Sequence, residues 1–160
     1  MAERGVVAVA GGQHRSESVA NALELCGEGI VVVHDAARPL VPPSLIDEVV
    51  ERLASDEGAA GVIAATPVTD TIKQTGDSDQ VERTVDRAGL WAVQTPQAFR
   101  ADALREALSD PDSLPEATDD AMLVERRGGR VLIHPAPADN IKVTMPIDLR
   151  VAELLLRERA

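Results

Sequence analysis

The chain has 160 residues, 16 Lys+Arg against 27 Asp+Glu for a formal charge of −11, and 44% apolar residues. That length suits one domain burying roughly two thirds of its unfolded surface, and the composition argues against disorder. No apolar run is long enough to cross a bilayer, the opening Met1-Ala-Glu-Arg-Gly5 lacks a signal-peptide core, and the acidic balance is the reverse of what a nucleic-acid binder wants. Cys26, the sole cysteine, can make neither an internal disulfide nor a zinc cluster, so the expectation is a reduced, cytoplasmic protein without membrane or nucleic-acid partners. A few placed cations can still hold a small anion on such a chain.

Gly5-Val-Val-Ala-Val-Ala10 and Ile30-Val-Val-Val-His34 are short, β-branched runs that read as strands buried on both faces of a parallel sheet. Between them Val19, Ala22, Leu23 and Cys26 form a helical stripe, which makes Cys26 a packing residue. Ser44 is expected to cap a helix whose buried face is Leu45, Ile46, Val49, Val50 and Leu53, and Gly61–Ala65 reads as the next strand. This alternation points to an α/β sheet with right-handed crossovers. Thr71–Lys73, Val81–Val85 and Leu90–Val93 read as short strands around polar turns, a β-ribbon projecting from the main sheet. Thr118 is expected to cap a helix with Asp119 and Asp120 in its first turn, Arg126 and Arg127 in its last, and Gly128 beyond. Strands over Arg130–His134 and Asn140–Thr144 follow. A closing helix has Pro146 near its start and Leu149, Ala152, Leu155 and Leu156 inside. The whole is one domain, 1–160, with an arm at about 67–95.

Three segments carry polar residues where chemistry can happen. In Val31-Val-Val-His-Asp-Ala-Ala-Arg-Pro39 a strand ends in Asp35, with Arg38 close behind. Ligands of open α/β sheets bind beyond the carboxyl ends of strands, where Asp35 suits Mg²⁺ and Arg38 a phosphate. The same residues also read as a turn cap and a local ion pair, and both readings stand. Asn140-Ile-Lys-Val-Thr144 puts Lys142 among apolar neighbours; by itself this reads as an edge strand with its lysine in solvent. Gly11-Gly-Gln-His-Arg-Ser-Glu-Ser18 opens the first helix, with free amides that attract anions or polar ligand edges, yet it matches neither GxGxxG nor a P-loop. His14, His34 and His134 lack metal-ligand spacing, and Trp91 and Phe99, the only aromatics, read as packing.

Taken in order, Gly11-Gly-x-x-Arg15-x-x-Ser18-Val19, Val33-His-Asp-Ala-Ala-Arg-Pro39 and Asp70-Thr-Ile-Lys73 resemble one family, as do Thr84-Val-Asp-Arg-x-Gly-Leu-Trp91, Gln94-Thr-Pro-Gln97, Thr118-Asp-Asp-Ala121 and Asn140-Ile-Lys-Val-Thr144. These are the 2-C-methyl-D-erythritol 4-phosphate cytidylyltransferases of the non-mevalonate isoprenoid pathway, and the resemblance covers nearly the whole chain. It implies a Rossmann-like, mostly parallel α/β sheet flanked by helices, with the projecting β-arm serving dimerisation. It implies transfer of CMP from CTP to an alditol phosphate, with pyrophosphate leaving. Asp35 would take the metal, Mg²⁺, and Arg38 would contact substrate. Thr71 and Arg87 would reach across a homodimer from the partner's arm. Arg87 and Lys142 would position the acceptor phosphate as the catalytic pair. The Gly12-Gln13 backbone and Ser18 would meet cytosine, with Ala36 near the nucleotide. So read, Lys142 becomes a ligand rather than an edge residue.

The family's opening strand and Gly-rich loop, with its Arg and Pro-Lys pair, have no counterpart before Gly5, and Lys73 and Lys142 are the only lysines. The expectation is therefore a fragment, a late start or a degraded paralogue, with poor turnover of CTP by the chain alone and exposed sheet edges. Ribitol 5-phosphate cytidylyltransferase and a non-catalytic dimerising remnant are the alternatives.

Overall fold

Strand side chains alternate between two apolar clusters, and that alternation builds three layers. Val62, Ala64 and Ala98 point to one face, where they pack with Leu45, Val49 and Leu53. Ile63 and Phe99 point to the other, against Leu23, Leu104, Leu123 and Val124. The computed structural model describes residues 5–109 and 117–159; the opening Met1–Arg4 lies outside them. In chain order the elements are α1 (Arg15–Leu23), β1 (Ile30–Val33), α2 (Pro43–Ala54), β2 (Gly61–Pro67), β3 (Ile72–Thr75), β4 (Val81–Val85), β5 (Trp91–Arg100), α3 (Ala101–Leu108), α4 (Asp120–Arg126), β6 (Val131–Pro135) and α5 (Pro146–Arg159).

The main sheet has the order β1-β5-β2-β6. β5 runs antiparallel to both β1 and β2, whereas β2 and β6 are parallel. Strands β1, β2 and β6 thus share one direction, and β5 opposes them. The cause lies in the insertion: the chain leaves β2 at Pro67 and returns with Trp91 opposite that same residue, as the two arms of a hairpin would. Between them β3 and β4 form a separate two-stranded ribbon, so the expected Leu90–Val93 strand is the start of the long β5. Where β2 meets β5, Gly61 is opposite Phe99, and a Cβ there would come within 2.6 Å of the ring. Glycine is what lets the fully buried ring lie across the strand.

Several local expectations are corrected. Gly5–Ala10 is not a strand: Val6 is 99% and Val7 70% exposed, because no strand among the described residues offers it a ladder. Asn140–Thr144 is a loop, pinned by Val143 N–H donating to Ala37 O at 2.7 Å. Pro42 and Pro43, not Ser44, begin α2, with the ring at the first helical position where no N–H is needed. Asp119, not Thr118, caps α4, its carboxylate accepting from Met122 N–H at 2.9 Å. In α5 only Ala152 is buried, while Leu149 and Leu156 are exposed. Cys26 lies past the end of α1 and is exposed, because the helix stops at Leu23 before its stripe reaches the core. Gly128 does close α4, at φ 81°.

Candidate active site

β1 ends at Val33, and the chain turns at once: Arg38 N–H donates to Asp35 O at 2.9 Å. Thr95 of β5 fixes this turn, since Asp35 N–H donates to its Oγ1 at 3.0 Å. The same hydroxyl lies 3.0 Å from His34 Nδ1, while His34 Nε2 lies 3.1 Å from Arg38 O. The pattern is satisfied when Thr95 donates to Nδ1 and the imidazole carries its proton on Nε2.

Asn140 supplies the second tie. Fully buried, it donates from Nδ2 to Gln94 Oε1 at 2.8 Å and to Thr95 O at 2.9 Å. Its own carbonyl accepts from Arg38 Nη1 at 2.8 Å. Two residues on, Lys142 Nζ sits 2.9 Å from Asp35 Oδ2. Arg38 Nε is 4.0 Å from Oδ2 and Arg15 Nε 3.9 Å from Oδ1. Burial pushes the Asp35 carboxyl up, but the Lys142 hydrogen bond and charge, with Arg15 and Arg38 behind them, win and hold it below its ordinary value.

A carboxylate ringed by three cations therefore stands at the strand tip. It lines a polar cleft of about 270 Å³ together with Arg15, Arg38, Gln94, Gln97 and Lys142. Arg15 and Asp35 also line a neighbouring, mainly apolar cavity of about 400 Å³ between α1 and β1, which Ser18, Val31 and Ala36 help to form. A cluster of cationic side chains and an apolar slot thus meet at Asp35.

The sequence of the IspD family, described as 2-C-methyl-D-erythritol 4-phosphate cytidylyltransferase, matches residues 1–158. The chain belongs to this family. A cytidylyltransferase of this description from Rubrobacter xylanophilus is 51% identical over 152 residues, covering 92% of this chain and 64% of the relative. That of Saccharopolyspora erythraea is 45% identical over 153 residues, covering 92% and 66%. The chain thus spans less than two thirds of these curated relatives. The crystal structure of the Thermus thermophilus cytidylyltransferase superposes with a TM-score of 0.82 at 36% identity, covering 96% of this chain and 74% of that one. The Francisella tularensis enzyme gives 0.85 at 30%, covering 96% and 73%.

Of the residues expected from the sequence, Asp35, Arg38 and Lys142 come together in the polar cleft, and Ser18 and Ala36 line its apolar neighbour. Thr71 and Arg87 do neither. Both are exposed on the ribbon, where the Arg87 guanidinium donates to Thr69 O. The amides ahead of α1 are not free as expected. Gly12 N–H donates to Ser18 Oγ at 3.0 Å, and the N–H groups of Gln13 and His14 to Glu17 Oε2 at 2.6 and 3.3 Å. A helix start is richer in donors than acceptors, and its own side chains close the gap.

Sequence reasoning assigns no site role to Thr95, Gln97, Asn140 or Arg15, and reads Asp120 only as a charge in the first turn of its helix. Asp119 Oδ2 accepts from Gln97 Nε2 at 3.3 Å, and Arg15 Nη1 lies 2.8 Å from Asp120 Oδ2. Burial pushes the Asp120 carboxyl up against the opposing pull of Arg15. A signal was present in Gln94-Thr-Pro-Gln97: a polar run inside an otherwise apolar strand has to find internal partners.

Proposed function

We propose that this chain holds the acceptor-phosphate site and part of the nucleotide site of an enzyme that transfers CMP from CTP to 2-C-methyl-D-erythritol 4-phosphate, giving CDP-methylerythritol and pyrophosphate for isoprenoid precursors. The observation that carries this reading is the convergence of Lys142, Arg38 and Arg15 on Asp35 at the tip of β1. An acidic chain gathers cations at one point when that point has to receive an anion. An acceptor phosphate oxygen attacks the α-phosphorus of CTP in line, and the work left to protein groups is positioning and charge stabilisation. Lys142 offers a mobile ammonium to the incoming phosphate, and Arg38, locked by Asn140 O, offers the rest of its planar fork.

Among the described residues no group of three or more His, Cys, Asp and Glu could hold a metal. Asp35 alone still fits Mg²⁺, which takes one or two carboxylates and fills its shell with phosphate oxygens and water. Bound there, the cation would neutralise the phosphates. The ribbon makes this a homodimer in our reading, with Thr71 and Arg87 of one protomer serving the cleft of the other, which is supported by both being exposed on the ribbon and outside their own chain's cleft. Ser18 and Ala36 border the slot for the base. No helix among the described residues is long and apolar enough to cross a membrane; a lone cysteine and water-soluble substrates support a reaction in the cytoplasm.

Calorimetric titration of 2-C-methyl-D-erythritol 4-phosphate and ribitol 5-phosphate, each with and without Mg²⁺ and CTP, tests the reading. Binding of the first in preference to the second is expected, weakened about tenfold or more by Lys142→Ala and Arg38→Ala. Equal binding by wild type and both variants would refute it.

A further inference from the structure

We infer that Gln97 and Asp119 read the hydroxyl groups of the acceptor and make the polar cleft select a polyol phosphate over a phosphate ester without hydroxyls. This rests on the cleft being the acceptor-phosphate site. Both residues line it beside Arg15, Arg38 and Lys142. Gln97, on β5, is 1% exposed, and its Oε1 has no hydrogen-bond partner among the described residues. Its Nε2 donates to Gln94 O and to Asp119 Oδ2, each at 3.3 Å, which fixes the amide with its oxygen as the orphan. Asp119 is half-buried, and capping α4 engages only its Oδ1, through Met122 N–H at 2.9 Å. A carboxylate accepts at about four positions, so Asp119 keeps room for further donors.

This part of the cleft is thus rich in acceptors, the reverse of the cationic cluster at Lys142. A buried acceptor without a partner is costly, and an apolar side chain at position 97 would fill the strand without that cost. A phosphate satisfies the cations but brings only more acceptors to Gln97 and Asp119; hydroxyls bring donors. The cations come from the turn after β1 and the loop before α5, and these acceptors from β5 and the start of α4. A ligand with a phosphate at one end and hydroxyls along its carbon chain meets both sets. The slot bordered by Ser18 and Ala36 is lined by neither Gln97 nor Asp119, so the hydroxyls they read are the acceptor's and not those of the nucleotide.

Titration calorimetry with 2-C-methyl-D-erythritol 4-phosphate and with n-butyl phosphate, which has the same charged group and no hydroxyls, tests this. The wild-type chain is expected to bind the polyol phosphate about tenfold or more tightly. Asp119→Ser keeps a good helix cap but withdraws the carboxylate, so affinity for the polyol phosphate should fall about tenfold while that for n-butyl phosphate stays within about twofold. Gln97→Leu leaves the cap untouched; it should show the same selective loss, and it decides where the serine variant does not fold. An equal change for both ligands would mark a structural role and overturn the inference, as would an unchanged affinity for the polyol phosphate or equal wild-type affinities. Lys142→Ala separates the two claims: it should weaken both ligands alike, and no effect on either would sink the acceptor-phosphate reading itself.

Discussion

Asn140→Ala removes the side chain that joins β5 to the Arg38 and Lys142 segments. Two hydrogen bonds are lost, from Nδ2 to Gln94 Oε1 and to Thr95 O. At a net contribution of about 1 kcal/mol each they account for about 2 kcal/mol. The Gln94 amide can rotate to find water, but the Thr95 carbonyl belongs to the buried end of β5 and is left unpaired, which adds roughly 1–2 kcal/mol. The expected loss is about 3–4 kcal/mol in urea denaturation, followed by circular dichroism with Trp91 fluorescence as a second probe. The same variant should loosen the loop that carries Lys142 and weaken acceptor-phosphate binding, even at urea concentrations where the chain stays folded. Asn140→Asp keeps the volume but turns a carboxylate toward the Thr95 carbonyl, so it should be no more stable than the alanine variant. A loss below about 0.5 kcal/mol for Asn140→Ala would show that the loop is held by something else, and the physical account of the cleft would fall with it.

Three further outcomes are expected. Gly61→Ala should cost about 1–3 kcal/mol by driving a methyl into the Phe99 ring, and a smaller residue at 99 should recover part of it; additive losses in a double-mutant cycle would refute the contact. The acid limb of stability should split by residue. Asp35 has a lowered native pKa, so its contribution is present above the ordinary 3.8 and is lost as pH falls through the lower native value; Asp35→Asn should flatten that limb. Asp120 has a raised one, so the native state binds its proton more tightly and stability falls as pH rises from 3.8 toward the native value; Asp120→Asn should abolish that decline, and the same sign for both variants would contradict the assignment. Cys26 should react with a thiol reagent in the native chain, and protection until unfolding would contradict its exposure.

Much was already written in the order of residues. The β-branched runs at Ile30–Val33 and Gly61–Ala65, the stripe of α2 and the glycine that ends α4 are local properties, decided by sterics and period, and they appear as read. So do the polar residues at the tip of β1, because a strand that ends in Asp35 can only deliver it beyond the sheet. Tertiary structure decided the rest, since each remaining question concerned partners distant in sequence. Whether Gly5–Ala10 and Asn140–Thr144 become strands depends on a neighbour to pair with, and neither has one among the described residues. Whether Lys142 faces solvent or a carboxylate depends on Asn140 finding Gln94 and Thr95, some 45 residues away. Arg15 and Asp120 are ordinary helix-end charges until α1 and α4 bring them to 2.8 Å. Backbone preference acts over a few residues, but a buried polar group is satisfied by whatever the fold sets beside it.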